Sequence, residues 1–282
     1  MQDAYIVSAL RTPIGKKKGS LSNMHPADLG AAILSGTFDR VDLDPGLVED
    51  VIFGCVDTVG PQAGDIARTC WLAAGLPEHV PGTTVDRQCG SSQQAVHFAS
   101  QAIMSGTADV VIAGGVQNMN MIPISYAMLA GQALGFDDPF SGSIGWMKRY
   151  GAQEVSQFNS AQMIAEKWKI SRAEMESFAF ESHQKAMRAI NAKHFVDEII
   201  PIGDFNTDET PRAETSLEKM ASLNPIIDGH DITAAISSQN ADASSALLMV
   251  SEKILKEHNL DPLARVAHIS VRADDPIWML TA

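Results

Sequence analysis

The chain has 282 residues, 45% hydrophobic and 20% charged, which is the composition of a globular protein with room for about two domains. Its net charge of −13 argues against a nucleic-acid or anionic-membrane surface, and three cysteines in this length do not form a disulfide framework. No apolar run reaches membrane-spanning length and no secretory leader opens the sequence, so a cytoplasmic location without membrane contact is expected.

Up to about residue 115 strand and helix signals alternate. Tyr5–Leu10 reads as a strand, and His25-Pro26-Ala27-Asp28 opens a helix through Leu34, with Gly36 just past its end. Asp50–Val56 gives the next strand, Ala63–Ala74 a helix stopped by Gly75-Leu76-Pro77, and Thr83–Val85 a short strand. Apolar residues then recur at helical spacing from Gln93 (Ala95, Val96, Phe98, Ala99, Ala102, Ile103) before the buried strand Ala108–Ala113. Strands spaced by helices predict an α/β fold with a mostly parallel sheet covered on both faces.

Residues 116–233 break that rhythm and read as an inserted subdomain. They are rich in Met, Gly, Ser and Gln and carry two helical stretches, Ser160–Trp168 and Ser171–Ala192, the second opened by the capping box Ser171-Arg172-Ala173-Glu174. From Thr233 the first domain resumes with strand Ser244–Val250 and a helix from Ser251 to His258. Ala264–Val271 reads as the first strand of a second, similar domain, cut short at Ala282. The expected boundaries are 1–115 with 234–261, the insert 116–233, and an incomplete second domain at 262–282.

Cys89 stands where the extended run meets the helix. Unpaired N–H groups and the positive end of the helix dipole favour an anion there, and the thiolate is the nucleophilic form of cysteine. A small, buried, inert cysteine is the competing reading. Cys55, inside an apolar strand, and Cys70, beside Trp71, read as buried packing residues. No Cys/His group has metal-ligand spacing, so no metal is expected. Gly114-Gly115 is no dinucleotide fingerprint, because no GxGxxG precedes a helix there. Lys16-Lys17-Lys18-Gly19 reads as a solvated turn, with a phosphate or assembly contact as the minority reading.

Several of these segments resemble one family in register. Val85-Asp86-Arg87-Gln88-Cys89-Gly90-Ser91 resembles the segment around the acyl-accepting cysteine of thiolases, and Gly114-Gly115-Val116-Gln117-Asn118-Met119 resembles their glycine pair and following turn. Ala4–Val7 with Arg11-Thr12-Pro13-Ile14-Gly15 matches the family's N-terminus, and Asp50–Val56 and Asp65-Ile66-Ala67-Arg68 fall in its order. The resemblance covers the whole chain. It implies a thiolase-like layered α/β fold with an inserted, CoA-covering loop domain, and is strongest toward degradative 3-ketoacyl-CoA thiolases, including a steroid-degrading branch.

The resemblance also implies a chemistry. The nucleophilic cysteine, here Cys89, attacks the 3-keto carbonyl of a 3-ketoacyl-CoA, the α–β bond breaks to release acetyl-CoA, and CoA then takes the acyl group from sulfur. CoA is thus a co-substrate, with no covalently bound cofactor, and a homodimer or homotetramer is expected. Ser238 corresponds to the serine that contacts the pantetheine arm, Arg212 to an arginine near the adenine end, and Met279 to a methionine lining the acyl pocket. For Arg212 a solvated loop charge, and for Met279 core filling, compete evenly with these roles. Gln157, followed by Phe158, resembles the bulky-substrate branch, whereas many biosynthetic relatives carry His-Met where this chain reads Ser156-Gln157.

The chain departs from the pattern elsewhere. The family's Asn-Glu-Ala-Phe turn, Gly-His-Pro segment and second cysteine are not found, and the eight histidines read as solvated or structural. Ala243 replaces a glycine and would be strained at positive φ, Ser92 replaces the second glycine after the nucleophile, and Asp86 stands for asparagine. Without the family's histidine base and second cysteine, this stretch of chain is expected to be inactive by itself. The alternatives are a non-catalytic fragment that binds acyl-CoA or dimerises, a biosynthetic acetoacetyl-CoA-forming thiolase, and a ketosynthase-type condensing enzyme.

Overall fold

The computed structural model describes residues 2–282. In chain order its strands are β1 (Ala4–Arg11), β2 (Gly15–Lys16), β3 (Asp50–Gly54), β4 (Gly82–Val85), β5 (Val110–Asn118), β6 (Ala241–Ser251) and β7 (Ala264–Arg265). The α-helices are α1 (Pro26–Phe38), α2 (Ile66–Ala73), α3 (Ser91–Ser105), α4 (Tyr126–Leu129), α5 (Ile144–Tyr150), α6 (Gln157–Trp168), α7 (Arg172–Asn191), α8 (Leu217–Ala221) and α9 (Glu252–Glu257).

The chain divides into two compact units. The first comprises residues 2–130, Phe195–Thr210 and Asn240–Ile269, and the second Gly131–His194, Pro211–Gln239 and Ser270–Ala282. Phe195–Thr210, from within the stretch read as an insert, therefore packs with the first unit. Arg11 holds it there: its guanidinium reaches Asp208 at 2.7 and 3.0 Å and Glu198 at 2.7 Å, and its backbone pairs with Glu198 and Ile200.

The first unit is built on one sheet in the order β4-β3-β5-β6-β1-β7, with β2 paired to β6. Only β4, β3 and β5 run parallel; β6 is antiparallel to both β5 and β1, and β7 is antiparallel to β1. The expectation of a mostly parallel sheet is therefore corrected to a mixed one. Helical crossovers impose parallel pairing between β3, β4 and β5, but β6 arrives from the long excursion after β5, which places no constraint on direction.

Because side chains alternate along a strand, the sheet sorts its apolar residues into two cores. Val51 and Phe53, Val110 and Ile112, and Leu248 and Val250 pack in one core with Leu29 and Ile33 of α1 and Ile66 and Trp71 of α2. Ile52, Val111, Ala113 and Met249 pack in the other with Ala95, Ala99 and Ile103 of α3. Each large apolar side chain so buried contributes about 1.5–3 kcal/mol.

Local boundaries have local causes. Pro26 takes the first position of α1, whose N-cap His25 accepts the Ala27 N–H at 3.2 Å. Gly36 lies inside α1, which runs on to Phe38, and not past its end; a Cβ there would meet Ile200 at 2.9 Å, so the glycine makes room for that side chain. The capping box of α7 forms: Glu174 accepts the Ser171 N–H at 2.8 Å while Ser171 accepts that of Glu174 at 3.3 Å. The strand expected over Ala264–Val271 is two residues long and adds to the edge of β1.

Candidate active site

The turn between β4 and α3 is fastened at each residue. Asp86 Oδ1 accepts the Gln88 N–H at 2.8 Å; Ser91 Oγ accepts the Arg87 N–H at 2.8 Å and donates to the Gln88 carbonyl at 2.5 Å. The Gly90 and Ser91 N–H groups close back on Arg87 and Gln88. Gln88 is held left-handed at φ 48, a strained state for a residue with a side chain, and the next residue, Cys89, is exposed. Gly90 caps α3, so the thiol stands one residue outside the helix.

Two glycines set the depth of this helix end. A Cβ on Gly54 would lie 2.3 Å from the Ser92 nitrogen, and one on Gly115 would lie 2.1 Å from Ser92 Oγ. The first turn of α3 therefore rests directly on the backbones of β3 and β5. That close approach is the physical reason for the glycines, and the serine at position 92 fits it.

The other two cysteines are buried. Burial, then the charges of Asp57 and Asp86, pushes the Cys55 thiol up to about 12. Burial raises Cys70 further, and its sulfur fills the space beside Gly30, where a Cβ would come within 2.2 Å of it. Cys55 also points its sulfur at Gln117 Oε1, 3.7 Å away, and that oxygen accepts the Val56 N–H at 3.0 Å.

The basic loop after β2 already serves an anion of its own chain. Glu209 accepts the Lys16 N–H at 3.0 Å, the Ser20 N–H at 3.2 Å and the Ser20 hydroxyl at 2.6 Å. The Lys18 N–H goes to Asn120 Oδ1 at 2.8 Å, so the loop's backbone donors are taken up within the chain while the lysine side chains are exposed. Ala243 lies within β6 outside the left-handed region, so the glycine-to-alanine departure carries no strain.

The remaining named residues belong to the second unit. Arg212 is exposed; its guanidinium donates to Gln239 Oε1 at 3.3 and 3.2 Å, and its N–H to His183 Nδ1 at 3.2 Å. Burial, then the Arg212 charge, lowers the pKa of His183. These contacts bring Arg212 beside the residue that follows Ser238, itself exposed. Gln157 opens α6, which begins three residues earlier than expected because Ser156 caps it through the Asn159 N–H. Met279 is half-buried at φ 43, one residue after Trp278, whose carbonyl accepts the Ser160 hydroxyl of α6. Arg212 and Ser238 thus share one neighbourhood, and α6 and the Met279 segment share another.

Sequence reasoning missed the polar frame under the first unit. Buried Gln62 accepts the Asn118 N–H at 2.8 Å, while Asn118 donates to the carbonyls of Leu21 and Met24. Buried Asp57, at φ 56, accepts the N–H groups of Ser125 and Ala127. Polar residues flanking strand ends were the available signal. No helix of the described residues is long and apolar enough to cross a membrane, and no group of His, Cys, Asp and Glu among them is placed to hold a metal ion.

The turn from β4 into α3 presents one exposed cysteine at the end of a parallel strand, and comparison with known proteins identifies the family. The family model for the thiolase N-terminal domain matches residues 4–253. The chain belongs to the thiolase family and is an acyltransferase. It is 56% identical to the steroid 3-ketoacyl-CoA thiolase FadA6 of Mycobacterium tuberculosis, over all of this chain and 70% of that protein. It is 37% identical to a 3-ketoacyl-CoA thiolase of Aliivibrio salmonicida, over 99% of this chain and 72% of that one. The crystal structure of the Bacillus anthracis acetyl-CoA acetyltransferase matches with a TM-score of 0.83 at 32% identity, over 99% of this chain and 73% of the other.

Proposed function

We propose that Cys89 is the acyl acceptor of a degradative 3-ketoacyl-CoA thiolase acting on bulky, steroid-derived acyl groups. The observation that carries this reading is the fastened turn at Asp86–Ser91, which leaves Cys89 exposed at a helix N-terminus while Cys55 and Cys70 are buried. Exposure puts Cys89 within reach of an incoming thioester. Its sulfur bonds to C3 of the 3-ketoacyl-CoA, the C2–C3 bond breaks, and the electron pair left on C2 takes a proton to give acetyl-CoA. CoA thiol then attacks the acyl-Cys89 carbonyl, the C–S bond to the protein breaks, and Cys89 recovers its proton.

Arg212 and Ser238 are assigned to the CoA chain, since a guanidinium pairs well with phosphate and stacks on a purine. Gln157 and Met279 are assigned to the acyl group. The steroid-degrading reading is supported by the name of the 56%-identical relative and by Gln157-Phe158. A cytoplasmic homodimer or homotetramer completes the proposal.

Replacing Cys89 by Ser tests it. The hydroxyl is a far weaker nucleophile, so single-turnover release of CoA thiol from an acyl-CoA, by acylation of residue 89, should vanish while the thermal midpoint stays unchanged. Release at the unaltered rate in Cys89→Ser would overturn the assignment.

A further inference from the structure

The short link between β4 and α3 is anchored at both ends and soft in between. At one end the Val85 carbonyl accepts the Cys55 N–H at 3.1 Å, which ties the last residue of β4 to the chain beyond β3. At the other end the first turn of α3 rests on the backbones at Gly54 and Gly115. Asp86, Arg87, Gln88 and Cys89 between them are all exposed, so no apolar packing fixes their backbone. Hydrogen bonds alone set the direction in which the chain presents Cys89.

Those bonds converge on Gln88. Its N–H goes to Asp86 Oδ1 at 2.8 Å, and its carbonyl accepts both the Ser91 hydroxyl at 2.5 Å and the Ser91 N–H at 3.0 Å. Gln88 needs this support, because φ 48 is a left-handed state that glycine enters freely and a residue with a side chain enters at a cost. Ser91 supplies the larger share. It is only 3% exposed, and its hydroxyl also accepts the Arg87 N–H at 2.8 Å. A serine hydroxyl has one proton to give, and here it is spent on the Gln88 carbonyl. Ser91 is thus occupied with its own turn and presents no donor to a substrate.

We propose that Ser91 is a positioning residue for acyl transfer: its hydroxyl keeps Gln88 left-handed, and that backbone state aims the Cys89 thiol at the incoming acyl group. The proposal rests on the acyl-transfer reading of Cys89 above and adds to it the joint on which the nucleophile is mounted.

The test is single-turnover acylation by acetyl-CoA, in which the Cys89 sulfur bonds to the thioester carbon, the bond from that carbon to the CoA sulfur breaks, and the thiol proton leaves with CoA. Mass spectrometry of the Cys89 peptide, followed over time and acetyl-CoA concentration, gives the saturating rate and the half-saturating concentration. Ser91→Ala should lower the saturating rate about tenfold at an unchanged half-saturating concentration, as the fraction of turns in the left-handed state falls. Adding Gln88→Gly to Ser91→Ala should recover most of that loss, because glycine takes the same backbone state without the hydroxyl. A serine that only packed α3, or that touched substrate, gains nothing from a glycine three positions away. Gln88→Val with Ser91 intact reads the same joint from its other side and should also lower the saturating rate, since a β-branched residue is a poor occupant of that region. A wild-type rate in Ser91→Ala or in Gln88→Val, or a Ser91→Ala loss that Gln88→Gly leaves unrepaired, overturns the proposal while Cys89 remains the acyl acceptor. If the wild-type protein takes no acyl group on Cys89, the acyl-transfer reading falls and this proposal falls with it.

Discussion

At the residue scale the account turns on three thiols in three environments. Limiting iodoacetamide on the folded protein, followed by peptide mapping, should label exposed Cys89 well ahead of buried Cys55 and Cys70. Preferred labelling of Cys70 would count against it. Cys55 also carries a pH signature. Its folded value of about 12 lies above the ordinary 9.0, so the folded state holds its proton where the unfolded chain has lost it. That stabilisation is complete below 9.0 and drains away as pH rises from there toward about 12, by up to about 1.4 kcal/mol per pH unit. Urea titrations of wild type and Cys55→Ala across that window should show the wild type losing stability more steeply; parallel slopes would contradict the burial of this thiol.

At the scale of elements, the seat of α3 and the clamp around Arg11 are the contacts that place the candidate nucleophile and the returning segment. Gly54→Ala and Gly115→Ala each force a methyl group into the Ser92 region and should cost about 1–3 kcal/mol in chemical denaturation. Each should also change the alkylation rate of Cys89, whereas an unperturbed rate and stability would show that α3 does not rest on those backbones. Asp208→Ala removes the bidentate partner of a mostly buried Arg11 and should destabilise by about 2 kcal/mol; Glu198→Ala, on the more exposed partner, should cost less than about 1 kcal/mol.

These elements also show what was legible in the sequence. Period-two and helical patterning with caps placed β1, β3, β4, α3 and the α7 capping box close to where they lie, because those signals are local. Strand direction in β6, the two-residue length of β7 and the interior place of Gly36 depend on partners far along the chain. Ile200, which explains Gly36, is 164 positions away, and no local pattern announces it. The Gly114-Gly115 pair was visible as a motif, yet its causes, the approach of the Ser245 backbone to Gly114 and of Ser92 to Gly115, need coordinates.

At the scale of the whole molecule, β4 ends the sheet order immediately before the Asp86–Ser91 turn. A strand edge left open in this way can pair with its own copy across a two-fold axis, and at least a dimer is expected by light scattering at micromolar concentration; a monodisperse monomer would rule it out. A polypeptide of residues 1–282 is expected to show no steady-state thiolysis, since the resemblance supplies Cys89 but neither the family's histidine base nor its proton-donating cysteine, and such groups act as a set. Sustained turnover by that polypeptide would mean that one of its own residues takes the role of base.

One acyl transfer breaks no carbon–carbon bond, needs no proton donor for a carbanion, and so tests the central claim most directly. When the protein is incubated with an acyl-CoA at mildly alkaline pH, the Cys89 sulfur should bond to the thioester carbon, break its bond to CoA and release CoA thiol. Mass spectrometry of the digested protein should then find the acyl group on the peptide that contains Cys89 and on no other, and should find none in Cys89→Ser. Acylation elsewhere at equal yield, or a Cys89 that stays unmodified while CoA is released, would contradict the account.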